Sequence, residues 1–218
     1  MLKHEAHRVR MEKKGIPEID LSDYSGVIIG GGPSNISDDE NKKYPYQRKF
    51  EEDLNRLLNK VFENDFPTLG TCYGIGALVK HQGGEVSKDR YSESIGVVKI
   101  KLTEVGMNDQ LTNKLPVNFK AFGGHKEACQ ELPTNAILLA TSENCLIQMI
   151  RFGNNIYATQ FHTELDQEGI QLRINIYKDY GYFSPEDADK LIKIAKNNEV
   201  NFPWIILNQF IKRYKREY

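Results

Sequence analysis

PTLGTCYGIGAL (residues 67–78) runs from an apolar, β-branched approach into Cys72, with Gly70 and Gly74 two positions to either side. A core cysteine needs no flanking glycines, whereas a thiol lifted out of a sharp strand-to-helix bend does. Gly70-Thr71-Cys72-Tyr73-Gly74 has the spacing of a nucleophile elbow, in which side chains at the two outer positions would crowd the turn. The helix that begins behind Cys72 would aim unpaired N–H groups and a positive dipole end at the sulfur, which favours the thiolate. Taken alone, the pentapeptide serves this reading and that of a buried structural cysteine equally, because a lone cysteine does not identify a nucleophile without a base.

Outward from the elbow, the chain alternates strand and helix. DYSGVIIGGGPSN (residues 23–35) is a short buried-type strand that stops at three glycines and a proline. From Tyr46 to Phe62, apolar residues recur at Phe50, Leu54, Leu57, Leu58, Val61 and Phe62, steps of three and four that predict one helix face. The strand before Cys72 and a helix closed by Gly83 and Gly84 follow, so strand, helix, strand, helix implies a parallel sheet. Beyond Gly84, SIGVVKIKLTE, NFKAFGGH, AILLATSE, CLIQMIRFG and NNIYATQFH read as successive strands. The Gly153-Asn154-Asn155 turn favours an antiparallel hairpin, which makes the sheet mixed. Helices return from Leu165 onward: Ser184-Pro185-Glu186-Asp187 predicts a side-chain-capped helix start, and Trp204, Leu207, Ile211 and Tyr214 mark a last amphipathic helix packed through Trp204.

Composition bounds the function classes. The 218 residues carry 29 Lys plus Arg against 30 Asp plus Glu, a formal charge of -1, so nothing in the balance suggests a nucleic-acid or anionic-lipid surface. The basic C-terminal KRYKREY reads as a solvated helix face. Cys72, Cys129 and Cys145 show neither metal-type spacing nor a disulfide framework, and Cys129 and Cys145 read as small apolar fillers. No apolar leader or membrane-length stretch is present, so the expected setting is the cytoplasm, with no metal and no cofactor.

A base for the thiol is offered by YATQFHTEL, where His162 ends a strand-like run and Glu164 lies two positions on, on the same face of an extended chain. Glu164 would orient one imidazole nitrogen and leave the other for the thiol. The competing reading is a histidine that caps the sheet beside an exposed glutamate. Glycines 30–32 after the first strand are a turn, or else a backbone N–H brought close to an oxyanion.

GGGPSN, GTCYGIGAL, GGHKEA and QFHTEL, in this order, resemble the class I (triad) glutamine amidotransferases, most closely stand-alone proteins similar to the amidotransferase half of GMP synthase. The resemblance covers roughly residues 20–170. It implies a flavodoxin-like α/β fold with a mainly parallel sheet, residues 1–165 as the amidotransferase-like domain and residues 166–218 as its helical extension. It also implies a Cys72–His162–Glu164 triad, an oxyanion hole from Gly32 and Tyr73, and a substrate site around Gly31, Gly76, Gly124, His125 and Lys126. The implied reaction is hydrolysis of the glutamine side-chain amide through a cysteinyl thioester, with ammonia passed to a synthetase partner. A γ-glutamyl hydrolase or peptidase using the same triad, and a catalytically silent binding module, are the alternatives.

Three departures from the family pattern carry weight. Gly76 stands where the family usually has Gln, and Thr163 replaces the proline of His-Pro-Glu. The strand-helix unit that usually precedes this region has no counterpart here, which predicts a sheet with an exposed edge.

Overall fold

The computed structural model describes residues 6–178 and 183–216. Its elements in chain order are α1 (Met11–Lys14), β1 (Val27–Ile29), α2 (Pro45–Glu63), β2 (Thr68–Thr71), α3 (Tyr73–His81), β3 (Val86–Ser87), β4 (Glu93–Leu102), α4 (Glu104–Asn108), β5 (Asn118–His125) and β6 (Ala128–Cys129). They continue with β7 (Ala136–Thr141), β8 (Met149–Phe152), β9 (Ile156–Thr159), α5 (Gln167–Tyr177), α6 (Ala188–Lys196) and α7 (Pro203–Tyr214). The main sheet has the order β1-β2-β9-β8-β7-β4-β5. β1, β2 and β9 form parallel ladders and the remaining neighbours pair antiparallel. Strands β1, β2, β9, β7 and β5 therefore point one way, and β8 and β4 the other. β8 and β9 form the hairpin expected from Gly153-Asn154-Asn155, and β1 lies at a sheet edge with Ile28 exposed.

Both faces of the sheet are covered. On one, α2 buries Phe50, Leu54, Leu57, Leu58 and Val61 with α3 against Ile150, Phe152, Ile156 and Ala158. Each such side chain contributes about 1.5–3 kcal/mol of burial, which is what holds a long surface helix to the sheet. Successive residues of a strand face opposite ways, so Tyr157 joins Leu69, Met149, Phe161 and the Ile206 and Phe210 of α7 on the other face. A third cluster packs Ile170 and Ile174 of α5 and Ala195 of α6 against Ile95 and Phe122 of β4 and β5.

Two sequence expectations are corrected here. Trp204 does not pack: it is exposed, and the buried face of α7 is Pro203, Ile206 and Phe210. Pro203, Ile206 and Phe210, spaced by three and four, share the face turned to the sheet, and Trp204 falls about 100° to the side of it. At Ser184 no side-chain cap forms, and Pro185–Asp187 makes a 3-10 turn that leads into α6. Among the described residues, no helix is long and apolar enough to cross a membrane.

Candidate active site

Thr68–Thr71 is a fully buried strand, and the chain turns into α3 at Cys72, whose φ of 54° and ψ of -100° are unusual for a residue with a side chain. The turn closes because its glycines lack Cβ atoms. One on Gly70 would lie 2.8 Å from the carbonyl carbon of Gly74, and one on Gly74 would lie 2.7 Å from the carbonyl oxygen of Ile29. The Cys72 N–H donates to the Thr159 carbonyl (2.8 Å), so the elbow stays tied to β9 as it leaves the sheet. Its thiol is partly exposed and lies 4.0 Å from the Gly124 carbonyl oxygen. Tyr73 is the first residue of α3, where backbone N–H groups have no intrahelical acceptor.

His162 follows β9 and is pinned across the sheet by its N–H to the Phe122 carbonyl, 2.9 Å. The residue is 2% exposed, and its Nδ1 meets Glu164 Oε1 at 2.7 Å. Burial opposes a charge on this imidazole, but hydrogen bonding to Cys72 and to Glu164, and their negative charges, win and raise its pKa to about 9. Glu164 is also desolvated, which would raise its pKa, yet the hydrogen bond and charge of His162 and the nearby Arg173 hold it below the usual carboxylate range. Cys72, His162 and Glu164, of which the first lies far from the others in sequence, thus meet at the ends of β2 and β9.

Gly31 is where the first strand's loop meets this pair. A Cβ there would lie 2.8 Å from His162 Cε1, 3.1 Å from Cys72 Cβ and 3.4 Å from Arg173 Nη1. Gly32 lines both clefts that open beside the thiol. The first cleft is lined by Asn35, Gly76, His125, Lys126 and Glu127 among others. His125 serves it as a wall, because Nδ1 meets the Glu127 carbonyl at 3.0 Å and Nε2 meets Glu93 Oε2 at 2.9 Å. Burial and the charge of Lys88 depress the Lys126 pKa. The space beside Gly76 is shared by Ile36 and Glu127: a Cβ there would lie 3.1 Å from Ile36 Cγ2 and 3.6 Å from Glu127 Oε1.

Two residues escaped the sequence reading. Glu127 accepts the N–H groups of Ile36 (2.8 Å) and Ser37 (2.9 Å), clamping the loop after β1 over the first cleft. Lys43 and Lys80 both donate to the Ile36 carbonyl at 3.1 Å, and Lys43 and Tyr73 converge on Glu51, which stiffens the same loop. The second residue is Arg173 of α5, whose Nη1 sits 2.8 Å from His162 Nε2. Its signal in the sequence was nil, since a helical arginine nine residues past Glu164 looks like any solvated one. Among the described residues, no group of three His, Cys, Asp or Glu side chains could hold a metal.

A family model described as "Glutamine amidotransferase class-I" matches residues 2–172. A GMP synthase (glutamine-hydrolyzing) subunit from Thermoplasma volcanium is 26% identical over 178 residues, 81% of this chain and 80% of that protein. The GMP synthase of Borrelia garinii is 30% identical over 150 residues, 69% of this chain but only 25% of that protein, so the chain spans about a quarter of it. A glutamine amidotransferase crystal structure from Thermotoga maritima superposes with a TM-score of 0.72 at 24% identity, covering 91% of this chain and 81% of that one. That likeness speaks to the fold.

Proposed function

Because this chain belongs to the class-I glutamine amidotransferase family, we propose that it hydrolyses the side-chain amide of glutamine through a thioester on Cys72 and passes the ammonia to a synthetase partner. Residues 1–165 form the catalytic unit and residues 166–218 extend the same domain. The observation that carries the reading is the His162–Glu164 contact of 2.7 Å beside a partly exposed thiol on a strained elbow. Three free cysteines fit a reducing cytoplasm.

Each chemical step has a residue. Glu164 holds Nδ1, which fixes the ring so that Nε2 serves the thiol. The raised His162 pKa keeps a proton on Nε2 at neutral pH, so Sγ attacks the amide carbon with its proton already held by the ring, and the developing oxyanion is met by the backbone N–H groups of Gly32 and Tyr73. His162 then protonates the departing nitrogen, and ammonia leaves. Water, deprotonated by the same ring, splits the thioester to release glutamate. The first cleft, lined by Gly76, His125 and Lys126, takes the amino-acid end of the substrate, and the second cleft, which Gly124 lines, faces the leaving nitrogen.

The decisive experiment compares ammonia release from glutamine with amine release from larger γ-glutamyl amides, in the wild type and in Cys72→Ala and His162→Ala. Glutamine turnover lost in both variants is expected; full activity in either would remove the triad. A second reading, γ-glutamyl hydrolysis on a larger substrate, is favoured by the second cleft, which the family's ammonia-releasing reaction leaves without an evident occupant.

A further inference from the structure

The second cleft is lined by Gly32, Cys72, Ile95, His162, Ile170 and Arg173 among others. It opens on the His162 side of the thiol, where the departing nitrogen must stand to receive its proton. Ile95 and Ile170 give it apolar walls, and Arg173 brings a cation. The Arg173 guanidinium, its side chain 20% exposed, reaches in from α5 and lies over the Tyr177 ring at 5.6 Å. Among the described residues its nearest carboxylate is Glu164, at 3.7 Å, and that oxygen is already engaged by His162 at 2.7 Å. A guanidinium presents a planar fork of donors suited to a carboxylate, and among the described residues this one meets a carboxylate only at 3.7 Å.

We propose that Arg173 is the specificity-determining residue of a leaving-group subsite, which selects γ-glutamyl amides whose departing amine carries a carboxylate, that is, γ-glutamyl-α-amino acids. The inference rests on acyl transfer at Cys72. In such a substrate the carboxylate carbon lies about 2.5 Å from the scissile nitrogen. Arg173 Nη1 lies 2.8 Å from Nε2, the atom that faces that nitrogen, so the fork is within reach of the carboxylate. Ile95 and Ile170 offer an apolar wall to a small side chain.

A bound carboxylate pairs with the guanidinium beside the ring. The proton held on Nε2 goes to the amine nitrogen as the carbon–nitrogen bond breaks and the Sγ–carbon bond is kept. The free amino acid leaves, and water releases glutamate and restores the thiol.

The test measures kcat/KM for γ-glutamylglycine and γ-glutamylethylamide, which differ chiefly in the carboxylate, in the wild type, Arg173→Lys and Arg173→Met. The wild type is expected to favour γ-glutamylglycine by at least about tenfold. That ratio should shrink in Arg173→Lys and approach one in Arg173→Met. A wild-type ratio near one, or one unchanged in Arg173→Met, overturns the subsite while Cys72-dependent turnover of either amide keeps acyl transfer standing. If neither amide turns over, calorimetric binding to the same proteins separates the two claims. Tighter binding of γ-glutamylglycine that is lost in Arg173→Met supports the subsite without the chemistry, and equal binding of the two amides overturns it.

Discussion

The strain at Cys72 can be weighed by replacing it in two ways. Cys72→Ala and Cys72→Gly both remove the thiol beside His162, but only glycine accepts a φ of 54° with a ψ of -100° freely. Holding a residue with a Cβ in a sparsely populated region costs about 1–3 kcal/mol. Against that, glycine loses about 0.4–1 kcal/mol more than alanine through the freedom of the unfolded chain. Taken at the middle of both ranges, the difference leaves Cys72→Gly more stable than Cys72→Ala by about 1.3 kcal/mol. For a chain of this size, 1 kcal/mol corresponds to about 2–4 °C, so the two melting temperatures should differ by about 3–5 °C. Urea unfolding of both variants at one pH, with slopes compared to confirm that the unfolded states match, reads the number directly. Equal stabilities, or a more stable alanine variant, would show that the elbow stores no strain and that the turn is not what lifts the thiol.

Other consequences are as specific. Gly31→Ala would put a methyl 2.8 Å from His162 Cε1, where carbon contacts need about 3.5–4.0 Å; the ring must retreat by about 1 Å, and amide turnover should fall by about 10²-fold with the fold intact by circular dichroism. Unimpaired turnover would mean that the imidazole position is not critical. A glutamine-mimicking electrophile should label Cys72 alone, since burial seals Cys129 and Cys145 and pushes their thiols up to about 11 and about 12; peptide mapping that finds all three equally labelled would end the case for a selected thiol. His162 has a folded pKa raised to about 9, above the ordinary histidine value of about 6.5. Its contribution is therefore fully present below about pH 6.5 and lost as pH rises through about 9, and it amounts to at most about 3 kcal/mol. Because Cys72 supplies much of the raising, unfolding free energy should fall less between about pH 6 and about pH 9.5 in Cys72→Ala than in the wild type. Parallel slopes would contradict the pairing.

Local rules made much of this molecule legible. The elbow could be read because Gly70 and Gly74 are steric requirements of one turn, and α2 because its apolar residues share one face; the observed helix, Pro45–Glu63, extends the expected span by one residue at each end. The hairpin at Gly153 followed from turn chemistry. Failures came where a distant surface decides. The pattern on the last helix put Trp204 inside, but the sheet it meets buries Ile206 and Phe210. Ser184 had the residues of a cap, yet the chain entered a 3-10 turn. His162 and Glu164 could be paired because positions i and i+2 of an extended strand share a face. Arg173 could not be added, because its place beside Nε2 depends on how α5 docks on β4 and β5 through Ile170 and Ile174. Glu127 stayed hidden for a similar reason: its partners, Ile36 and Ser37, lie about 90 residues away in a loop without regular structure.

The central claim, that Cys72 carries the acyl group, is tested most directly by acid-quenching the wild-type protein during turnover of a γ-glutamyl amide and mapping the adduct by mass spectrometry. A glutamyl thioester on the peptide that contains Cys72, absent in Cys72→Ala and depleted by hydroxylamine, is the predicted result. Turnover that proceeds with no adduct on that peptide, or with the adduct on another residue, would contradict it.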